Sequence, residues 1–518
     1  MLKLNDIYLT NIFVLQKKDP KLAELIQNSV SNNFYLDVVY SKDGSIVPRF
    51  FNGNAAHSLY NPIIEASRLI DPIDHDTCVF FCGIGAGFHI RQWLNISVFR
   101  PCIILESDLP TLRSLLEIYD LTDILQHDSV RIIANPDQKE ILKVITETWK
   151  PALEKAFKVV TLRSWENLHE NLVADISQSV SAALQIVSKD FSVQSHFGRL
   201  WMRNALRNLA IAEKHQGTFP KVDVSKTAII VAAGPSLEIS IQKIIKKRSS
   251  YIVFATDTSY GFLHEKGIIP DFFVSIDAQH VSLSHIMIPL HPNMTIVLDA
   301  IAHPGIALKA IEYGCNVIIG CGGHPLLAYA SKMSPLPSLF TSSGTVTGTA
   351  LGIAQSLGFS KIELVGADFK YTDGKAYTRS TYLDVASFAQ ASRLFPPESF
   401  WTQLIFRTPV QRTKQNGSIS YTNEILQFYS KEIYSNNCSN KWTKDDFISF
   451  PFNNFLQNVL ASYSTMKYPQ EVNQEYFFTL LPFIAWFNHS HRINNPACSV
   501  HDAINLALEL IAGYTIKI

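Results

Sequence analysis

A chain of 518 residues has room for about three or four domains of ordinary size, with cores that need no disulfide or metal staple. Lys+Arg and Asp+Glu are equal at 45 each, and this zero formal charge excludes a nucleic-acid coat, a polybasic membrane anchor and an acidic tail. Hydrophobic residues at 47% exclude general disorder, while charged residues at 17% leave a thinly charged surface compatible with oligomerisation.

The N-terminal MLKLNDIYLTNIF lacks the basic stretch, apolar core and small-residue cleavage site of a signal peptide. The longest apolar runs, such as FFTLLPFIAWF at 477–487, fall short of the roughly 20 residues that a membrane span requires. A soluble, cytoplasmic protein is expected, with neither membrane nor nucleic acid as partner. The cysteines (Cys78, Cys82, Cys102, Cys315, Cys321, Cys438 and Cys498) form no paired CxxC units, which suits reduced, small core residues.

From residue 77, TCVFF (77–81), CIILE (102–106) and VRIIA (130–134) predict buried strands. Asp108 is placed to cap an intervening helix with Pro110 in its first turn, so the pattern is βαβαβ with a parallel sheet. Gly83, Gly85 and Gly87 of GIGAGFHI follow the first strand, and Glu106 ends the next. That is the layout of a dinucleotide or S-adenosylmethionine site, with the carboxylate on ribose hydroxyls. A Rossmann-like scaffold that binds no cofactor is the alternative. Residues 151–215 are expected to be helical and to connect two domains.

A second alternation opens at 226. TAIIVAA (227–233), YIVFAT (251–256), FFVSI (272–276), TIVLD (295–299), NVIIG (316–320) and KIELVG (361–366) are short, β-branched runs separated by segments that can hold helices. Such strands belong to a doubly wound sheet covered on both faces. From about 386 the strand signal fades, and a lid plus a mostly helical tail is expected. The α/β reading therefore divides into an N-terminal Rossmann-like domain with its connector (1–190), a central doubly wound domain (191–385), and a lid with a helical C-terminal region (386–518).

Ligands of doubly wound sheets bind outside the carboxyl ends of the strands. Here the first central strand runs into Gly234-Pro235-Ser236, whose tight turn and following helix start form a candidate anion seat. Other strands end in Asp257, Asp277, Asp299 and Gly366-Ala367-Asp368. Four carboxylates on one rim favour a polar ligand, although each could simply cap a turn. Ser342-Ser343-Gly344-Thr345 opens a helix with glycines at 344, 348 and 352 and offers a second phosphate seat. Tyr371 and Tyr377 follow near the same rim, where phenols can donate to a departing phosphate without adding fixed charge.

Five motifs in order carry a resemblance: AIIVAAGPSLEISI (228–241), FATDTSYGFL (254–263), PDFFVSIDAQH (270–280), SSGTVTGTALGIAQSLGF (342–359) and IELVGADFKYTDGKAY (362–377). With SLYNPIIEASRL (58–69), VFFCGIGAGFHI (79–90) and ILESD (104–108), the chain resembles the motility accessory factor (Maf) family of flagellin glycosyltransferases over most of residues 50–430. The central segment is more distantly similar to bacterial sialyltransferases that use CMP-activated sugars, a variant of the GT-A fold.

That resemblance implies that Gly234, Pro235, Ser236, Ser342, Ser343 and Gly344 bind the CMP portion, with Gly366 and Asp368 beside them. Asp257 falls where the sialyltransferases carry an asparagine that touches the nucleotide. Tyr371 and Tyr377 fall near their lid tyrosines, with one residue inserted; Maf relatives have a histidine where Tyr377 stands and Asp-Leu where Asp368-Phe369 stands. The base stays open among Asp277, His280 and a carboxylate of 384–424. The implied reaction is inverting transfer of a nonulosonic acid, a sialic-acid-like sugar, from its CMP donor to Ser or Thr of flagellin.

Three rivals stand beside it. The central domain is also similar to an archaeal 6-hydroxymethylpterin pyrophosphokinase, which would use ATP and Mg2+ with Asp257 and Asp277 as metal ligands. The turn at Gly83 and Glu106 would suit a methyltransferase. The missing lid histidine would suit a non-catalytic flagellin-binding or export accessory protein.

Overall fold

The computed structural model describes residues 4–96, 100–134, 137–415, 417–435, 440–470, 472, 474–492 and 499–515; Cys438 and Cys498 lie outside the described residues. It divides into two compact units. One comprises Met1–His196, Tyr468–Gln470 and Ile484–Val500; the other comprises Phe197–Lys467, Glu471–Phe483 and His501–Ile518.

In the first unit a hairpin of β1 (Tyr35–Tyr40) and β2 (Ile46–Phe50) precedes a parallel sheet of β3 (Thr77–Cys82), β4 (Cys102–Glu106), β5 (Val130–Ala134) and β6 (Ala156–Thr161), in the order β5-β4-β3-β6. Every residue of β3 and β4 is buried, as a sheet covered on both faces requires, and Cys78, Cys82 and Cys102 are part of that core. The expected cap forms: the Asp108 carboxylate accepts from Thr111 N at 2.7 Å and opens the helix Leu109–Ile118. β6 corrects the all-helical reading of 151–215. It pairs with β3 along its whole length as the sheet's edge, where half-exposed positions accept Lys158 and blur the apolar signal. A helix of 46 residues, Glu170–His215, follows.

In the second unit β7 (Thr227–Val231), β8 (Tyr251–Thr256), β9 (Phe272–Ser275), β10 (Thr295–Asp299), β11 (Asn316–Gly320) and β12 (Ile362–Val365) form a parallel sheet in the order β11-β10-β9-β8-β7-β12. All six expected strands are present. Alternate residues feed two cores. Ala228, Ile230, Phe254 and Val274 pack with Ala350 and Ile353 on one face, and Ile229, Val231, Val253 and Ala255 pack with Leu237, Ile241 and Leu263 on the other. The chain lays strands outward from β7 to β11 and then returns to place β12 on the other side of β7. The switch point of the sheet therefore lies between β7 and β12, the position where such sheets bind ligands.

The segment after 366 is not purely helical. β13 (Tyr371–Thr372), β14 (Gln411–Gln415) and β15 (Ser418–Thr422) form an antiparallel sheet in the order β13-β15-β14, accompanied by the helices Tyr382–Ala389, Pro397–Ile405 and Glu424–Ser435. This corrects the expectation that strands cease beyond 386. Among the described residues no helix is long and apolar enough to cross a membrane.

Candidate functional site

The turns after β7 and β12 lock together. Gly234 N donates to Gly366 O at 2.7 Å, and the Asp368 carboxylate accepts from Ser236 N at 2.9 Å and from Ser236 Oγ. A Cβ on Gly234 would stand 2.5 Å from Gly366 O, so the backbones approach closely only because a glycine is there. Gly366 holds φ +71 against Ala232 O, a conformation and a space that both exclude a side chain. The Ser236 N–H, first in line for an anion at this helix start, is already taken by Asp368.

Between these turns opens a cleft of about 230 Å³. Gly234 lines it from β7, Asp257 from β8, Gly366 and Asp368 from β12, and Tyr371 and Tyr377 from the lid. Thr345, Val346 and Thr347 close it from the start of the helix Val346–Ser356. The turns after residues 233 and 341 thus converge on one cavity. The second seat lies slightly further along the chain than its sequence suggests. Thr345, whose Oγ1 accepts from Gly348 N at 3.0 Å, caps the helix, and Val346 and Thr347 of its first turn line the cleft. Ser342 lines a separate pocket with Cys321 and Thr341. Ser343 is buried beneath Gly348, and Gly344, at φ +69, lies under the Tyr429 ring. The Ser-Ser-Gly stretch positions the cap and Tyr429 rather than lining the cavity.

The polar character of the cleft comes from a few groups. Asp257 is buried, its Oδ1 accepting from Thr258 N (2.7 Å) and its Oδ2 from Ser275 Oγ (2.8 Å). Burial, then the neighbouring Tyr371 and Tyr382 hydroxyls, push the Tyr377 phenol up to about 12, so it keeps its proton and remains a donor. Burial also raises Tyr429, which lines the same cavity, and the Arg407 guanidinium partly offsets both phenols. Lys370 lines the cleft as well. Thr347, Lys370, Arg407 and Tyr429 were not among the residues singled out in the sequence. A threonine directly before the helical Gly348 and a lysine two after Asp368 were the available signals.

The remaining strand-end carboxylates stand apart from the cleft lining. Asp277 caps its own loop, accepting from Gln279 N at 2.9 Å while its carbonyl accepts from His303 N. Asp299 is fully buried; it accepts from Ile301 N at 3.2 Å and from Gly322 N, and burial pushes it up to about 7. Two carboxylates, Asp257 and Asp368, reach the cleft rather than four. Pro235 lies in the β7 turn outside the lining. Among the described residues no group of three or more His, Cys, Asp or Glu side chains could hold a metal ion.

In the first unit the glycine turn is filled by the chain itself. A Cβ on Gly83 would meet Trp165, one on Gly85 the His57 ring, and one on Gly87 Ile124. Glu106 is fully buried; its carboxylate accepts from Trp165 Nε1 at 2.6 Å and from the Tyr35 hydroxyl at 3.2 Å. Burial raises its pKa. The carboxylate expected to meet a ribose is spent on an indole and a phenol.

Residues 201–374 match a family model described as 6-hydroxymethylpterin diphosphokinase MptE-like. Two uncharacterised proteins of Treponema pallidum (strain Nichols) are similar. One is 33% identical over 252 residues, covering 48% of this chain and 87% of the relative. The other is 37% identical over 196 residues, covering 38% and 91%. Among solved structures, the MAf glycosyltransferase from Magnetospirillum magneticum AMB-1 shares the fold, with a TM-score of 0.56 at 13% identity over 99% of this chain and 95% of that one.

Proposed function

We infer that this chain, which belongs to one family with the two Treponema pallidum proteins and has the fold of the Magnetospirillum Maf glycosyltransferase, is itself a glycosyltransferase working from a nucleotide-activated donor. The observation that carries this reading is the cleft at the β7/β12 switch point, where glycine turns, the first turn of a helix and protonated phenols line one cavity. The donor we propose is a CMP-nonulosonic acid and the acceptor a Ser or Thr hydroxyl of flagellin, in the service of motility. The order of the motifs from 228 to 377 supports that choice.

In the proposed reaction the bond between the anomeric carbon and the phosphate oxygen breaks, and the acceptor oxygen attacks from the opposite face. That oxygen forms the new C–O bond and passes its proton to solvent, and CMP departs with the electron pair. Charge growing on the phosphate is met by the N–H groups of Val346 and Thr347, by Lys370 and by the Tyr377 hydroxyl, donors already in place before the bond breaks. Gly234 and Gly366 let the nucleotide approach the backbone.

A second reading, an ATP- and Mg2+-dependent pyrophosphokinase, is favoured by the MptE-like match at 201–374. Thermal-shift titration separates the two. CMP should raise the unfolding midpoint and ATP–Mg2+ should not; the reverse order would overturn the glycosyltransferase reading in favour of the kinase.

A further inference from the structure

The loops after β9 and β10 carry a cluster that the cleft does not use. Asn204 and Asn208, one turn apart in the helix Glu170–His215, grip both loops. Asn204 donates to Ala278 O and Ile301 O, both at 3.0 Å, and Asn208 to Ala300 O (2.7 Å) and Ala302 O (2.8 Å). Arg203 and Arg207, each one residue before an asparagine, are thereby held beside the same loops. Both are exposed, and neither forms an ion pair among the described residues.

The loops themselves bring two imidazoles together, with His280 Nδ1 3.3 Å from His303 Nε2. The protons on this pair follow from one bond. His303 caps the helix Pro304–Glu312 by accepting the Gly305 N–H on Nδ1 at 3.1 Å. A ring nitrogen that accepts carries no proton, so the neutral His303 ring has its proton on Nε2 and gives it to His280 Nδ1. By the same rule His280 carries its own proton on Nε2. The pair therefore ends in an N–H donor.

Burial, and with it the charges of Arg203 and Arg207, holds the His303 pKa below its ordinary value, against the opposing charge of Asp277. His303 is thus neutral at pH 7 and the proton order persists. Tyr382, whose phenol feels both Asp257 in the cleft and Asp277 in these loops, stands between the two places.

We propose that Arg203, Arg207 and the Nε2–H of His280 form a carboxylate-binding subsite on the strand-end rim beside the donor cleft. Two guanidinium forks and a neutral donor suit a planar oxyanion. Its place beside a donor site rests on the reading given above. The carboxylate has two sources in that reaction: the acidic sugar, or an Asp or Glu side chain next to the acceptor hydroxyl.

The test is calorimetric titration of the full chain with N-acetylneuraminate and, separately, with a triglutamate peptide, in the wild type, R203Q/R207Q and H280A. Binding of either probe, weakened at least about tenfold in both variants with CMP affinity unchanged, is the expected result. The probe that binds identifies the source. Binding of neither, or binding indifferent to the substitutions, overturns the subsite. A wild type that takes a probe but not CMP would overturn the donor-cleft reading and leave the subsite standing.

Discussion

Asp368 and Ser236 show a carboxylate used for architecture at the edge of a binding site. By accepting from Ser236 N and Oγ, Asp368 ties the β7 turn to the β12 turn and fixes the floor of the cleft. Replacing Asp368 with Ala removes a half-buried, charge-assisted pair, and the central unit should lose about 1–3 kcal/mol in urea unfolding. An unchanged midpoint would mean that the two turns hold without it. Tyr377 acts differently: burial keeps its phenol protonated, with the Arg407 guanidinium only partly offsetting that effect. Tyr377→Phe should lower turnover by about 100-fold while CMP affinity stays within a factor of about two, since a donor aimed at developing charge acts on the transition state. A loss carried by affinity instead would make Tyr377 a packing residue. Because the phenol sits at about 12, wild-type turnover should show no fall from its ionisation as pH rises to 9.

At the scale of elements, Asp299 joins the end of β10 to the loop after β11 through Ile301 N and Gly322 N. Its folded pKa of about 7 lies above the ordinary Asp value near 3.9. The native state therefore binds more protons than the unfolded chain between these values, and stability falls as pH rises through that window. Asp299→Asn removes the titrating charge and keeps an acceptor for Ile301 N alone. Relative to the wild type, the variant should gain stability as pH rises from about 4 to 8. A gap independent of pH would show that Asp299 does not titrate there.

Elements were legible in proportion to how fully they are buried. Five strands of the central sheet, β7 to β11, are near-continuous, almost wholly buried apolar runs, and each was visible; β12, a partly exposed edge strand, was legible from its short apolar run before Gly366. β6 is a half-exposed edge, and β14 and β15 have no fully buried position among their described residues, so they carry no such signal. Their hairpin had a different mark, the Asn-Gly pair at 416–417 in the sequence, just as Asp43-Gly44 marks the turn between β1 and β2. The glycine turns of the cleft were legible because only glycine tolerates such backbone approach. The helix start was placed early, because whether Ser342, Ser343 or Thr345 becomes the cap depends on how Gly348 packs over Ser343, a contact that spacing alone does not reveal.

At the scale of the whole molecule, two units carry glycine-rich turns after parallel strands, and they end in opposite uses. In the second unit the turns stay open beside a cavity lined only by residues of that unit. In the first, Trp165, His57 and Ile124 stand against the glycines and Glu106 is committed to Trp165 and Tyr35. The same sequence pattern thus makes a ligand site in one place and a core in the other. What decides is whether a neighbouring element delivers a large side chain into the turn. Two outcomes follow for the intact protein. Calorimetry with S-adenosylmethionine or NAD should give no binding heat. Trp165→Phe keeps the packing but leaves the buried Glu106 carboxylate without its indole donor, and should lower the stability of the first unit by about 1–3 kcal/mol. CMP affinity and sugar transfer should be unchanged in that variant. Parallel losses of stability and CMP binding would show that the first unit shapes the donor site, and heat from either cofactor would show that the glycine turn opens to a ligand after all.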